Sequence, residues 1–134
     1  MQKLFFITLA FLLFTSCNQS PKTKKNTEPL EAGREFIDAS LKGDYDYAKQ
    51  YLLPDSTNIM YFERLQEFYK NKDKEEKDGY KNANIIINSA ENISDSVMII
   101  NYSNTFKNQP AKIKMIKLKN EWLVDFKYTF SGNM

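Results

Sequence analysis

Near Gly79 the spacing of apolar residues along this 134-residue chain changes from three and four to two. Apolar residues every 3.6 positions line one face of a helix, and every second position one face of a strand. Neither half can take the other's structure without turning its apolar side to water. The N-terminal half is therefore expected to be helical and the C-terminal half stranded. Helices followed by a run of strands make an α+β fold, with the helices laid on one face of an antiparallel sheet.

Three N-terminal helices are expected. Thr27 or Glu28 caps the first, and Pro29 suits its first turn, where a missing N–H costs nothing. Gly33, Phe36, Ile37, Ser40 and Leu41 then share a face, and Gly43 supplies the left-handed stop. Asp44 caps a short second helix carrying Ala48, Tyr51 and Leu52 inward, and Pro54 ends it. Ser56 or Thr57 opens the third, with Ile59, Phe62, Leu65 and Tyr69 on its buried face. The charge run from Lys70 to Lys81, broken by Gly79, reads as a solvated helix end and loop.

Four strands follow. Ile85 to Ile87 anchors the first, and Asn92 to Asp95 supplies a turn. Ser96 to Phe106 is longer, with Met98, Ile100, Tyr102 and Phe106 on one face. Pro110 bounds the next link. Ala111 to Lys119 changes phase between Met115 and Ile116, which predicts a β-bulge there if a single face is buried. Asn120 tolerates the positive φ of a tight hairpin. In the last strand Trp122, Val124, Phe126 and Tyr128 point inward, while Asp125 and Lys127 form an outward, solvated pair. The bulge would curl this four-stranded meander around the helices.

Composition excludes several chemistries. Nineteen basic residues face seventeen acidic ones, a near balance that gives no case for nucleic acid, which usually calls for a clustered basic face. The chain has no histidine, which removes histidine acid–base catalysis, Ser-His-Asp triads and most zinc sites. Its four glycines are too scattered to cradle a phosphate. The carboxylates Asp73, Glu75, Glu76 and Asp78 lack calcium-loop spacing and are interleaved with lysines, so no metal site is expected. No cofactor is implied.

The N-terminus reads as an address. Lys3 precedes an apolar run from Leu4 to Phe14 that reaches only about 16 Å as a helix, roughly half a hydrocarbon core. Small residues Thr15 and Ser16 then lead to Cys17, the one cysteine of the chain. Leu13-Phe14-Thr15-Ser16-Cys17 resembles the lipobox of bacterial lipoproteins. That resemblance implies a signal peptide over 1–16, cleavage before Cys17 and acylation of its sulfur with palmitate-type chains. Two or three such chains anchor durably where one does not. Asn18 to Glu28 is polar and lysine-rich, a flexible tether of roughly 20 Å by random-coil scaling, with Lys22, Lys24 and Lys25 able to touch anionic lipid. Asn18 is not the aspartate that resembles an inner-membrane retention signal, and no acidic cluster follows the cysteine. The expected place is the outer membrane, facing the periplasm, with the bilayer itself as a partner through acylated Cys17.

A single domain is expected over 29–130. Its passage Leu41-Lys42-Gly43-Asp44-Tyr45-Asp46-Tyr47-Ala48 is similar to the start of nuclear-transport-factor-2-like, or cystatin-like, domains. Asn120-Glu121-Trp122-Leu123-Val124 looks like their closing hairpin. The resemblance implies a cone of curved sheet around the helices; another small helix-on-sheet sandwich is the alternative. Such folds host isomerases, dehydratases and many non-catalytic modules, so the fold alone does not choose. The best catalytic constellation is Tyr45 or Tyr102 beside Asp44 or Asp46, a desolvated carboxylate with a phenol as oxyanion donor. Asp44 and Asp46 already suit a helix N-terminus, however. Phe62, Tyr102, Trp122 and Phe126 could instead line an apolar pocket, or simply fill the core. Binding a small apolar ligand or a protein partner needs no special acid, base or metal, and is preferred to catalysis.

Overall fold

The computed structural model describes residues 22–24 and 28–132. Cys17, the apolar run before it and the expected cap Thr27 lie outside the described residues.

Helix α1 (Pro29–Lys42) begins on Pro29 with Glu28 at the N-cap position, although the Glu28 side chain makes no capping bond. Its buried face carries Ala32, Gly33, Phe36, Ile37 and Ser40. It ends at Gly43, whose φ of 77° places it in the left-handed region, and the Asp44 N–H closes back on the Ala39 carbonyl at 2.8 Å. Asp44 then caps α2 (Tyr45–Lys49) by accepting from the Tyr47 N–H. Helix α3 (Ser56–Lys70) opens on Ser56 as expected, and its cap is Asp55, whose Oδ1 accepts from the Asn58 N–H at 2.9 Å. Phe62, Leu65 and Tyr69 face inward as expected, but at the start of the stripe Asn58 takes the place of Ile59. Asn58 is fully buried while Ile59 is exposed, because Asn58 finds polar partners inside.

A fourth helix replaces the expected loop. Helix α4 (Lys74–Lys81) starts where Asp73 accepts from the Glu76 N–H, and pairs four residues apart, Lys72 with Glu76 and Lys74 with Asp78, lie along it. Gly79 sits inside this helix rather than breaking it. The ring of Phe106 lies so close that a Cβ at Gly79 would fall 2.4 Å from it. Phe106 thus packs on α4 at Gly79 instead of continuing the face of Met98 and Ile100.

The sheet is a simple antiparallel meander, β1 (Ile85–Ser94), β2 (Val97–Asn104), β3 (Ala111–Leu118) and β4 (Glu121–Asp125), in that spatial order. Strand β1 extends to Ser94, so the turn shrinks to Asp95 and Ser96. The register through β3 runs unbroken on both sides, and the expected bulge at Met115–Ile116 is absent. Strand β3 instead carries apolar residues on both faces, the outer one passing from Lys112 and Lys114 to Ile116 and an exposed Leu118. Ile113 and Met115 are buried under the helices, whereas Ile116 lies between Val97 and Leu123 on the other face. The register shifts occur in β1, between Ile87 and Ser89 and between Asn92 and Ser94. Lys119 and Asn120 both take positive φ in the last hairpin, as a two-residue turn demands.

Strand β4 stops at Asp125, and Phe126–Phe130 forms a 3-10 helix, so Phe126 and Tyr128 are not strand residues. The outer edge of β4 is closed by the segment after α2. Val124 N–H donates to the Tyr51 carbonyl at 2.7 Å, and Leu53 N–H to the Val124 carbonyl at 3.0 Å. Helix α1 touches every strand of the sheet. Between them Phe36, Phe62 and Phe126 form a triangle with ring centroids 5.5 to 5.9 Å apart, resting on Ile100, Ile113, Met115 and Val124. Gly33 permits this closeness, since a Cβ there would lie 2.4 Å from Ile100 Cδ1. Among the described residues no helix is long and apolar enough to cross a membrane.

Candidate functional site

Helices α1 and α3 do not fill the whole inner face of the sheet. At the end carrying the β2–β3 loop they leave a cavity of about 320 Å³, with Phe36, Leu65 and Phe126 on its apolar side. Tyr69, Tyr80 and Tyr102 supply its phenols, and Asn104, Lys107 and Gln109 its polar rim. This volume lies at the low end of the usual range for small-molecule pockets.

Each phenol is placed by an element. Tyr69 ends the inward stripe of α3, and Tyr80 is the buried residue of α4; their rings meet edge to face at 4.7 Å. Tyr80 in turn meets Phe106 at 5.0 Å. Tyr102 sits on β2 opposite Ile87 and Ala111. Desolvation pushes the Tyr102 hydroxyl up to about 12. The same cause, with Tyr80 and Tyr102 nearby, holds Tyr69 above the ordinary phenol value. Phenols held this high stay protonated at neutral pH and act as hydrogen-bond donors, not bases. Among the described residues the Tyr102 hydroxyl makes no hydrogen bond. Lys107 lies across the mouth, its Nζ 3.2 Å from Glu76 Oε1 and 4.8 Å from the centroid of the Phe106 ring. It ties α4 to the loop that bounds the pocket.

The sequence candidates scatter. Tyr102 and Phe126 line this cavity. Phe62 is wholly buried in the aromatic triangle. Trp122 is half-buried at the far end of the sheet, opposite Lys117, whose Nζ lies 5.9 Å from its ring. Tyr45 is half-buried and borders a separate groove with Tyr69 and Tyr80; burial raises its phenol. Asp46 is exposed on α2. No Asp or Glu lines the tyrosine pocket. The constellation of Tyr45 or Tyr102 with Asp44 or Asp46 is therefore not assembled.

Asp125 also departs from expectation. It is buried at 6% exposure and accepts from Asn58 Nδ2 at 3.0 Å, with Lys127 Nζ at 3.3 Å. Asn58 is satisfied on every side, since its Nδ2 also donates to Asp55 and its Oδ1 accepts from the Lys127 N–H at 2.7 Å. This network binds the start of α3 to the end of β4, away from the tyrosines. Among the described residues no cluster of three or more potential ligands could hold a metal ion.

Sequence reasoning missed Tyr80, Asn104, Lys107 and Gln109. Tyr80 was hidden in the charge run, and the other three carry no periodic signal. No protein-family model, curated protein or solved structure matches this chain.

Proposed function

We propose that the chain is a bacterial lipoprotein held to the outer membrane, on its periplasmic side, through acylated Cys17. Its domain, of the nuclear-transport-factor-2-like or cystatin-like kind, then serves as a non-enzymatic binding module. The lipobox-like residues support the anchor. Four helices against an antiparallel meander, with a cavity left between them at one end, support the cone-like reading of the fold.

One observation carries the choice of binding over catalysis. The cavity offers neutral phenol donors over a phenylalanine and leucine wall, and no carboxylate that could abstract a proton. This lining suits a small, largely apolar ligand with one hydrogen-bond-accepting or anionic end. The apolar part would rest on Phe36, Leu65 and Phe126, and the accepting end would meet Tyr102 or Lys107. The alternative, an isomerase- or dehydratase-type enzyme, lacks its base in this pocket. A protein partner would need a surface rather than a cavity.

The test uses anilinonaphthalene sulfonate, an apolar ring system with one anionic group. The native protein should bind it saturably at one site, with a rise in dye fluorescence. Ala111→Phe, which fills the cavity from β3, should abolish that site while leaving the urea midpoint nearly unchanged. Binding that persists at full strength in the filled variant would rule the pocket out.

A further inference from the structure

The expected tether is not loose along its whole length. The side-chain amide of Gln50 clamps the backbone at two points: its Nε2 donates to the Lys22 carbonyl at 3.2 Å, and its Oε1 accepts from the Lys24 N–H at 2.9 Å. Each lysine is also held by a carboxylate and a ring. Lys24 reaches Glu121 at 3.4 Å and lies over Tyr51, while Lys22 reaches Asp44 at 3.9 Å and lies over Tyr47. Read backwards, the chain therefore runs from the β3–β4 hairpin towards Asp44. Gly43 and Tyr45, the neighbours of Asp44, both border a groove of about 580 Å³ formed by the ends of α1 and α3 and by α4.

That groove carries more lysines than carboxylates, with Lys42 paired to Asp38 at 2.6 Å and Lys70 to Glu67 at 3.7 Å. Lys42, Lys70, Lys77 and Lys81 line it against Glu67 and Asp78, in a chain whose net charge is only +2. All four lysines are exposed, and unlike Lys42 and Lys70, Lys77 and Lys81 make no ion pair within 4.0 Å among the described residues. Tyr45, Tyr69 and Tyr80 also border it, amphipathic rings of the kind that settle at headgroup level. Five peptide links separate Lys22 from Cys17, a reach of at most about 18 Å. A domain of this size is roughly 30 to 35 Å across, from a radius of gyration near 13 Å. With Cys17 acylated, the side by Asp44 stays within about 18 Å of the bilayer, and the surface potential acts on it at close approach, within a Debye length of about 8 Å.

We propose that this lysine-rimmed groove is the face that rests on the anionic headgroups of the bilayer carrying the anchor. The proposal rests on the lipid-anchor reading above. It orients the molecule: the groove faces lipid, and the Asp95–Ser96 hairpin, at the other end of β1 and β2, points away.

The experiment uses the full mature protein with its own lipid, reconstituted in phosphatidylcholine vesicles with or without phosphatidylglycerol. Because Cys17 is the one native cysteine and would be acylated, a cysteine introduced by Glu67→Cys in the groove, or by Asn92→Cys near the far hairpin, takes a fluorophore selectively. Headgroup-spin-labelled lipid should quench the groove position several-fold more than the far position in anionic vesicles. High salt, neutral vesicles, or the combined Lys42→Gln, Lys70→Gln, Lys77→Gln and Lys81→Gln variant should each erase that contrast. Equal quenching at both positions, or a contrast indifferent to salt and lipid charge, overturns the proposal and leaves the anchor standing. Intact mass measured before labelling separates the two failures. A chain without acyl mass on Cys17 sinks the anchor reading and this proposal with it.

Discussion

Asn58 is the residue on which the polar interior turns. It is wholly buried, yet each of its side-chain hydrogen-bonding groups has a partner on Asp55, Asp125 or Lys127. Asn58→Leu puts a bulkier side chain of the same branching in place of the amide, leaves the Lys127 N–H unpaired and removes one donor from the buried Asp125 carboxylate, so it should cost about 3 kcal/mol. Urea denaturation measures that cost, and a loss below about 1 kcal/mol would show that the network is dispensable. The network also carries a pH signature. The N–H of Asn58, and beyond it Lys127, hold the Asp55 carboxyl below its ordinary value of 3.8. A depressed folded-state value contributes stability that is present above the unfolded pKa and is lost as pH falls through the folded one. Stability should therefore decline below about pH 4. Asp55→Asn should shallow that decline, leaving the part that Glu76 and Asp78, also lowered by their lysines, contribute. Lys127 is raised above 10.5, chiefly by its bond to Asp125, so its contribution persists below that value and fades as pH climbs beyond it. None of this was legible in the sequence, because Asn58 and Asp125 stand 67 residues apart and no periodicity links them.

Among the elements, two helical glycines show how neighbours decide the sign of one substitution. Replacing glycine by alanine within a helix gains up to about 1 kcal/mol of propensity. At Gly33 the new Cβ meets Ile100 Cδ1, which is itself wholly buried and has nowhere to go. Overpacking of about 1 to 3 kcal/mol should win there, and Gly33→Ala should destabilise. Ile100→Val removes the offending methyl and should recover part of the loss in a double-mutant cycle; strict additivity would refute the contact. At Gly79 the neighbour is the Phe106 ring, 36% exposed and able to swing outward, so Gly79→Ala should be near neutral. Sequence patterns gave the order of helices and strands because apolar spacing encodes burial directly. Helix α4 escaped because its signals are Asp73 as a cap and lysine–carboxylate pairs four apart, which in a charge run resemble a solvated loop. Strand β1 outran its apolar start because Asn88 to Ser94 is paired along an exposed edge by backbone and by polar side chains such as Asn88 with Asn101, which leave no apolar alternation to read. The phase change in β3 misled because Ile116 and Leu118 lie on the outer face, where apolar residues need no bulge to bring them inward.

At the scale of the whole molecule, the two ends of the sheet have different tasks. One end holds the hairpins, and the other gathers the tyrosine pocket, with the lysine-rimmed groove on the other side of Leu41, Tyr69 and Tyr80. The pocket was only partly legible: Tyr102 and Phe126 could be assigned inward from alternation, but its rim comes from a loop and from a helix that spacing did not reveal. The docked stretch 22–24 links this body to whatever precedes it. Removing the clamp with Gln50→Ala forfeits two hydrogen bonds of about 1 kcal/mol net each, so tryptic cleavage after Lys22 should quicken by roughly tenfold or more while the urea midpoint holds. Unchanged cleavage would mean that the strap is held by its lysines alone. Above all these stands the claim that the molecule lives on a membrane through one sulfur atom. Intact mass spectrometry of the protein extracted from its native membrane fraction tests it directly. The account predicts a chain beginning at Cys17 and carrying two or three acyl groups; a chain beginning at any other residue, or a bare thiol at Cys17, contradicts it.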